Sequence, residues 1–278
     1  MKAFMTDLDH TFLRSDLTLS AYSINVWNAK ASHTPMGIAT ARSLTKSKEL
    51  LKALHLSAPL ILLDGAVTLS PDRKLIDIKT LDKQTGDAII ALGTKHGIDP
   101  FIIGLKDDRL NESFLYPRRL NDYQRDVLKG YKNDPRLLFN PDNRAMKHNL
   151  KIVYFGSKEQ LAPLYDAVKN DFAHSVEAKL SPEKYGGGWF LTLLHPEGDK
   201  AHALRKAAEY MRIPTDAITV FGDSVNDLGM FALAGKSVAV ANALDEVKAA
   251  ADVVLEHTND EDGVARYLDS CDANASQS

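Results

Sequence analysis

The chain has 278 residues, of which 44% are hydrophobic and 26% are charged, and its formal net charge is −3. This composition is typical of a folded globular protein and excludes a mainly disordered chain. The only cysteine, Cys271, excludes a disulfide scaffold and a zinc site made of several cysteines. The small acidic excess argues against a nucleic-acid partner, and no apolar run approaches the roughly 20 residues of a membrane span.

The first part of the chain alternates short apolar runs with helical patterns. Residues 2–8 predict a strand, and because this apolar run is too short for a signal peptide we expect a cytoplasmic protein. Residues 36–39 and 60–63 predict two more strands, Ser20 predicts a helix start before them, and the leucines of residues 46–54 predict a helix between them. This alternation favours an α/β fold with a parallel sheet covered by helices.

The last part of the chain repeats the pattern. Residues 200–211 and 227–234 have helical spacing, and residues 218–221, 237–240 and 253–255 predict strands.

Frequent turn sequences set the middle of the chain apart from both ends. We therefore predict one core domain formed by residues 1–80 and 191–278, with residues 81–190 inserted as a second α/β domain.

Polar residues lie where the predicted strands end. Asp7, Thr40 and Asp64 each follow or close an apolar run. Ligands of parallel sheets bind beyond the carboxyl ends of the strands, so we expect these residues to line one site.

The first acidic pair is Asp7 and Asp9, which point the same way on an extended chain. Neighbouring carboxylates raise each other's pKa, unless a cation binds between them. An ionised carboxylate can serve as a nucleophile and a Mg²⁺ ligand, whereas a protonated one can serve as a general acid. Asp9 could instead only cap the following turn.

A second acidic group occupies residues 222–227, where Asp223, Asn226 and Asp227 follow a glycine at a strand end. Such oxygen ligands suit Mg²⁺. The alternative is a polar turn that leads into a helix.

Two features could bind an anion. Thr40, Ala41 and Arg42 lead from a strand into a helix, where hydroxyl and amide groups can hold a phosphate. Lys200 lies at a predicted helix start, where a nearby anion would offset its interaction with the helix dipole. A simple helix cap and a solvated lysine are the alternatives.

Taken together, the motifs occur in the order Asp-x-Asp, Thr, Lys and Gly-Asp-x-x-Asn-Asp. This order resembles the haloacid-dehalogenase (HAD) superfamily of phosphohydrolases, and most closely its Cof-type, sugar-phosphatase-like branch with a type IIB cap. Residues 63–66 and 259–265 resemble two further signatures of that branch. The resemblance covers the predicted core, while the insert matches the cap only in size and position.

The resemblance implies a Rossmann-like core with an inserted C2-type cap, and a phosphatase that acts through an aspartyl-phosphate. Asp7 would be the nucleophile and Asp9 the general acid and base, while Thr40 and Lys200 would hold the phosphoryl oxygens. The implied Mg²⁺ ligands are Asp7, Asp9 through its carbonyl, and Asp223, and Asp227 would support the metal or orient Lys200. The implied phosphate and substrate contacts are Thr40, Ala41, Arg42, Lys200, Asn226 and His10.

The chain departs from the family pattern at four positions. His10, Ala41 and Ala201 stand where glycine is usual, and Asp64 stands where asparagine is usual. None of these changes removes a catalytic group, but Asp64 would repel a phosphate unless its carboxylate is turned away or paired.

The expected partner is a small phosphorylated metabolite, with a sugar phosphate as the first choice. A phosphomutase or phosphotransferase could use the same aspartyl-phosphate. A non-catalytic protein that binds phosphometabolites is the alternative from another class, although no catalytic carboxylate is missing.

Overall fold

The computed structural model describes residues 2–107, 111–183 and 187–275. In chain order, the strands of these ranges are β1 (Ala3–Thr6), β2 (Met36–Ala39), β3 (Leu60–Leu62), β4 (Val67–Leu69), β5 (Leu75–Ile78), β6 (Leu81–Asp82), β7 (Phe101–Leu105), β8 (Glu112–Pro117), β9 (Leu137–Asn140), β10 (His148–Gly156), β11 (Glu177–Pro182), β12 (Trp189–Leu194), β13 (Ile218–Gly222), β14 (Lys236–Ala239) and β15 (Val253–Val254). The helices of the same ranges are α1 (Ala21–Ala31), α2 (Leu44–Ser47), α3 (Lys83–Lys95), α4 (Asp122–Lys129), α5 (Lys158–Asp171), α6 (Lys200–Met211), α7 (Leu228–Phe231), α8 (Asp245–Ala250) and α9 (Gly263–Ala275). None of these helices combines the length and the apolar character needed to cross a membrane.

Internal contacts divide the chain into two compact units. Unit 1 comprises residues 1–78 and 199–278, and unit 2 comprises residues 79–198. This division falls after residues 78 and 198, whereas the predicted domain boundaries follow residues 80 and 190.

Unit 1 is built on an eight-stranded sheet with the order β15-β14-β13-β1-β2-β3-β4-β5. The strands from β15 to β3 pair in parallel, and β4 and β5 extend the sheet in antiparallel pairing. The predicted α/β core with a parallel sheet is thereby confirmed. Strand order runs to one side through β2 and β3 and to the other through β13, β14 and β15, so the carboxyl ends of β1 and β13 flank a switch point where ligands commonly bind.

The predicted start of the first helix is correct, but the predicted helix over residues 46–54 is wrong. Ser20 caps α1 by accepting a hydrogen bond from the Ser23 amide. In contrast, α2 ends at Ser47 and the chain continues in turns. Leu54 bonds back to Leu51, only three residues earlier, and both leucines are buried. Their spacing therefore reflects burial of a compact turn and not a continued helix.

Unit 2 contains a second sheet with the order β11-β12-β10-β7-β8-β9, and β6 pairs with one end of β10. Among the described residues of unit 2, only β8 and β9 pair in parallel. Its core joins α3 and α5 to the sheet through Ile89, Leu161, Ile152 and Leu191. Tyr154 is fully buried there, and its hydroxyl donates to the Ile89 carbonyl at 3.0 Å.

The two ends of unit 2 lie next to each other. The chain enters the unit at Lys79 and leaves it at Gly198. Lys79 Nζ forms an ion pair with Glu197 Oε2 at 2.9 Å, which joins the first residue of the unit to its penultimate one.

Candidate active site

Two acidic motifs meet at the switch point of the unit 1 sheet. Asp7 follows β1, Asp223 follows β13, and these two strands are parallel neighbours. The Asp7 amide donates to the Phe221 carbonyl at 3.0 Å, which extends the pairing one residue beyond β1. The sheet therefore brings together carboxylates that lie far apart in the sequence.

Lys200 begins α6 and is buried between two of these carboxylates. Its Nζ donates to Asp7 Oδ1 and to Asp227 Oδ1, each at 2.7 Å. The side chain of Lys200 is 0% exposed, so the alternative of a solvated lysine is excluded. The helix start is capped separately by Asp199, whose side chain accepts a hydrogen bond from the His202 amide at 2.8 Å.

The carboxylates of Asp7, Asp223 and Asp227 form a buried acidic cluster. They offer oxygen atoms that all lie within 4.8 Å of one another. Three carboxylates outnumber the single ammonium group of Lys200, and buried charge of one sign needs compensation. These hard oxygen ligands and their excess negative charge fit a divalent cation. Asp9 does not join this cluster through its carboxylate, and its role as a carbonyl ligand remains a prediction.

The electrostatics of the cluster favour protons or cations. Burial raises the pKa of Asp7 well above its usual range; the Lys200 ammonium opposes this shift, and the neighbouring carboxylates add to it. Burial alone would lower the pKa of Lys200, but the carboxylates of Asp227 and Asp7 outweigh it and raise that pKa. Lys200 therefore stays charged, while Asp7 is ionised most easily when a further positive charge is present.

Backbone and hydroxyl groups hold the other two carboxylates in place. Asp227 Oδ2 accepts from the amides of Asp223 and Ser224 at 3.0 and 3.1 Å. Thr11 Oγ1 donates to Asp223 Oδ1 at 2.9 Å. Thr11 was not predicted as a site residue, although it continues the alternate spacing of Asp7 and Asp9, which could have indicated it.

Asp9 lies apart from the cluster and is bound by Arg42. The guanidinium group donates through Nε to Asp9 Oδ2 at 2.7 Å and through Nη2 to Asp9 Oδ1 at 2.5 Å. This bidentate contact fixes both the position and the plane of the Asp9 carboxylate. Arg42 was predicted to contact phosphate, and in this structure its guanidinium group is engaged with Asp9.

Thr40 is fully buried at the end of β2. Its Oγ1 accepts a hydrogen bond from the Arg42 amide at 3.1 Å, so the hydroxyl stabilises the turn that carries Arg42. The intervening Ala41 is outside the left-handed region of backbone conformation. Its methyl group therefore causes no backbone strain where glycine is usual.

Two of the unusual residues adopt the left-handed backbone conformation. His10 has φ 56° and Asp64 has φ 62°. This conformation favours glycine and is tolerated by asparagine and aspartate, which explains why the family usually has glycine and asparagine at these positions. The His10 carbonyl accepts from Asn242 Nδ2 at 2.7 Å, a contact that no sequence pattern indicated.

Asp64 and Asn226 contact each other beside the acidic cluster. Asn226 Nδ2 donates to Asp64 Oδ1 at 2.8 Å, and Asp64 is only 3% exposed. Burial would lower the pKa of Lys200, but the carboxylates of Asp227 and Asp7 raise it, and the Asp64 carboxylate adds a smaller effect in the same direction. The extra carboxylate is thus paired rather than unopposed.

Gly65 packs against the start of α6, where no side chain fits. It has φ +122°, and a Cβ atom would lie 2.2 Å from both the carbonyl carbon and the oxygen of Asp199. We expect Gly65→Ala to lower the free energy of unfolding by about 3 kcal/mol or more, because strain and a backbone clash combine. Urea unfolding checks this value.

Gly97→Ala is the matched control, because Gly97 has φ +77° but open space around it. This variant should lose only about 1–2 kcal/mol from backbone strain. Equal losses in the two variants would contradict a clash at Gly65.

The sequence matches known phosphatases over nearly its whole length. A family model for haloacid dehalogenase-like hydrolases matches residues 4–268. The 5-amino-6-(5-phospho-D-ribitylamino)uracil phosphatase YwtE of Bacillus subtilis (strain 168) is 27% identical, with 97% of each chain covered. The phosphatase YwpJ of the same organism is 26% identical, over 96% of this chain and 99% of YwpJ.

Solved structures share the fold over nearly the whole chain. SMU.1108c from Streptococcus mutans UA159 has a TM-score of 0.82 at 20% identity, covering 98% of this chain and 99% of that one. The HAD subclass IIB sugar phosphatase BT4131 has a TM-score of 0.75 at 20% identity and the same coverage.

Proposed function

Because the chain belongs to the haloacid dehalogenase-like hydrolases and is a phosphatase, we propose that it hydrolyses a small phosphorylated metabolite, a sugar phosphate. The cofactor would be Mg²⁺ and the intermediate an aspartyl-phosphate. The observation that carries this proposal is the buried Asp7, bonded to Lys200 and adjacent to two further carboxylates. A carboxylate nucleophile and a cation site are thereby combined in one place.

The reaction proceeds in two displacements at phosphorus. A carboxylate oxygen of Asp7 forms a bond to phosphorus as the bond to the leaving alcohol breaks, and Asp9 donates a proton to that alcohol. Asp9 then takes a proton from a water molecule that attacks the aspartyl-phosphate, which releases inorganic phosphate and restores Asp7. Lys200 and Thr40 hold the phosphoryl oxygens during both steps.

Mg²⁺, held by Asp7, Asp223, Asp227 and the Asp9 carbonyl, would neutralise negative charge at the phosphoryl group. Arg42 bonds both oxygens of Asp9 in this structure, so one of these bonds must open before Asp9 can donate a proton. Arg42 can then turn to an oxygen of the substrate, while Ala41, His10 and Asn226 line the same region.

Phosphate release from a panel of esters tests the proposal. The panel contains hexose and pentose phosphates, 5-amino-6-(5-phospho-D-ribitylamino)uracil and p-nitrophenyl phosphate. We expect Mg²⁺-dependent release that falls at least about 100-fold in EDTA, because the cation supplies several kcal/mol of transition-state stabilisation. Adding excess Mg²⁺ back should restore the rate. Undiminished release in EDTA would contradict the metal requirement.

The phosphomutase or phosphotransferase alternative uses the same Asp7 chemistry with a second hydroxyl in place of water. It predicts an isomerised or newly phosphorylated sugar with little free phosphate. Quantifying both products from the preferred ester distinguishes transfer from hydrolysis.

A further inference from the structure

Unit 2 contains a cavity that the proposed phosphatase chemistry does not use. Its volume is about 420 Å³. One wall is α3, which contributes Ile90, Ala91 and Thr94; the remaining walls are the turn that follows β8 and the turn that precedes β10. All of its lining residues belong to residues 79–198.

The floor of this cavity is a fixed polar network around Asp99, which is 5% exposed. Arg119 donates to both Asp99 oxygens, at 2.8 and 2.9 Å. Thr94 Oγ1 and Asn143 Nδ2 also donate to Asp99 Oδ1, at 2.9 and 2.8 Å. The negative charge of Asp99 and the positive charge of Arg119 are therefore paired with each other within the protein.

Asn143 presents an acceptor without a donor. Its Oδ1 atom is buried and has no hydrogen-bond partner among the described residues. A reversed amide would place this oxygen against the Asp99 carboxylate, which can only accept, so the contact to Asp99 fixes its orientation. The backbone of Asn143 has φ 49°, and its backbone N–H donates to the Asn140 carbonyl at 3.2 Å, so the turn itself is constrained. A buried lone acceptor is costly unless a donor is supplied.

Two arginines of the cavity lining lie outside its hydrogen-bonded ion pairs. Arg118 and Arg144 line the cavity, and neither forms an ion pair with a carboxylate of the described residues. Asp87 is bound by Lys83 at 2.7 Å, and the charge of Arg144 helps to lower the pKa of the same carboxyl group. Asp142 is the third carboxylate among the lining residues, beside Asp87 and Asp99.

We propose that this cavity is a binding site for a small organic phosphate that carries hydroxyl groups. The guanidinium groups of Arg118 and Arg144 bind the phosphate, since planar guanidinium donors match phosphate oxygens. A ligand hydroxyl donates to Asn143 Oδ1, and the Ile90 and Ala91 side chains contact the carbon skeleton. The site is separate in its residues from the phosphoryl-transfer chemistry, so its occupancy does not depend on the proposed function.

Nuclear magnetic resonance of the full, ¹⁵N-labelled chain tests this site directly. Glucose 6-phosphate, inorganic phosphate and glucose are titrated separately in EDTA, and the side-chain amide signals of Asn143 are followed. We expect saturable shifts with glucose 6-phosphate, weaker binding of inorganic phosphate and no shift with glucose. Unmoved Asn143 signals with glucose 6-phosphate would overturn the proposal.

Protein variants test the phosphate contacts and the hydroxyl contact of the ligand separately. Replacing Arg118 and Arg144 by glutamine should weaken glucose 6-phosphate binding by about tenfold or more for each lost guanidinium. Arg125→Gln is the matched control, because Arg125 lies on α4 outside the cavity and pairs with Asp122. Asn143→Gly keeps the turn conformation but removes Oδ1, so it should weaken glucose 6-phosphate more than inorganic phosphate, as followed by the backbone amide signals of Thr94 and Asp99. Equal affinity in the double arginine variant and the unmodified protein would also overturn the proposal.

Discussion

Replacing Asp7 by asparagine is expected to lower phosphate release by about 10⁴-fold or more, because the amide cannot form the aspartyl-phosphate. Asp7 is buried at the end of β1, and its contact to Lys200 is compatible with an amide oxygen. The folded structure should therefore persist. The measurement is the steady-state rate with Mg²⁺ on the preferred ester.

Asp216→Asn is the matched control, because Asp216 is exposed and precedes β13, whereas Asp223 follows the other end of that strand. Its rate should stay within about twofold of the unmodified protein, as is usual for surface changes. Retention of metal-dependent turnover by Asp7→Asn would show that another group attacks phosphorus.

Asp7→Asn should also change how the stability of the metal-free protein depends on pH. A carboxyl group whose pKa is raised by folding favours the folded state at low pH, and that contribution is lost as pH rises through the folded-state pKa. Burial raises the pKa of Asp7, so metal-free unmodified protein should lose stability from this group as pH rises above about 4. Asp7→Asn lacks this loss, and thermal unfolding in EDTA at several pH values will measure it.

Replacing Lys200 by methionine is expected to lower the free energy of unfolding by about 3–5 kcal/mol in EDTA, because it leaves buried carboxylates without their cation. The Lys200 ammonium contacts Asp7 and Asp227 in a position with no solvent exposure. Mg²⁺ should restore part of this loss by supplying positive charge to the same carboxylates. The rate should fall about 100-fold or more, because a phosphoryl contact is also removed.

Lys206→Met provides the comparison on the same helix. Lys206 is 40% exposed and pairs with Glu209 on the surface, where an ion pair contributes about 1 kcal/mol or less. Urea unfolding with and without Mg²⁺ measures both variants. A similar, metal-independent loss in the two would mean that Lys200 does not neutralise the acidic cluster.

The meeting of the acidic motifs could be predicted because it depends on simple topology. Asp7 and Asp223 each follow an apolar strand, and parallel strands present their carboxyl ends at one edge. The contacts of Arg42 with Asp9 and of Asn226 with Asp64 could not be predicted in the same way. They depend on side-chain torsions and on residues remote in the sequence.

Backbone conformation accounts for other differences between expectation and structure. The left-handed φ values of His10 and Asp64 could not be recognised from residue type, since histidine and aspartate usually adopt other conformations. Of the leucines in residues 46–54, Leu51 and Leu54 are buried, but their spacing did not indicate the turns that bury them. Periodicity reports which side chains are buried more reliably than which hydrogen bonds the backbone forms.

The ion pair between Lys79 and Glu197 has a consequence for how this protein can evolve. An insertion whose two ends are neighbours closes only a short gap in its host, so accommodating it costs the host little chain entropy. Insertions of this kind can be lengthened, shortened or exchanged while the host sheet keeps its strand order. The acidic cluster of unit 1 and the arginine-lined cavity of unit 2 can therefore diversify separately, one conserving a reaction while the other acquires new ligands.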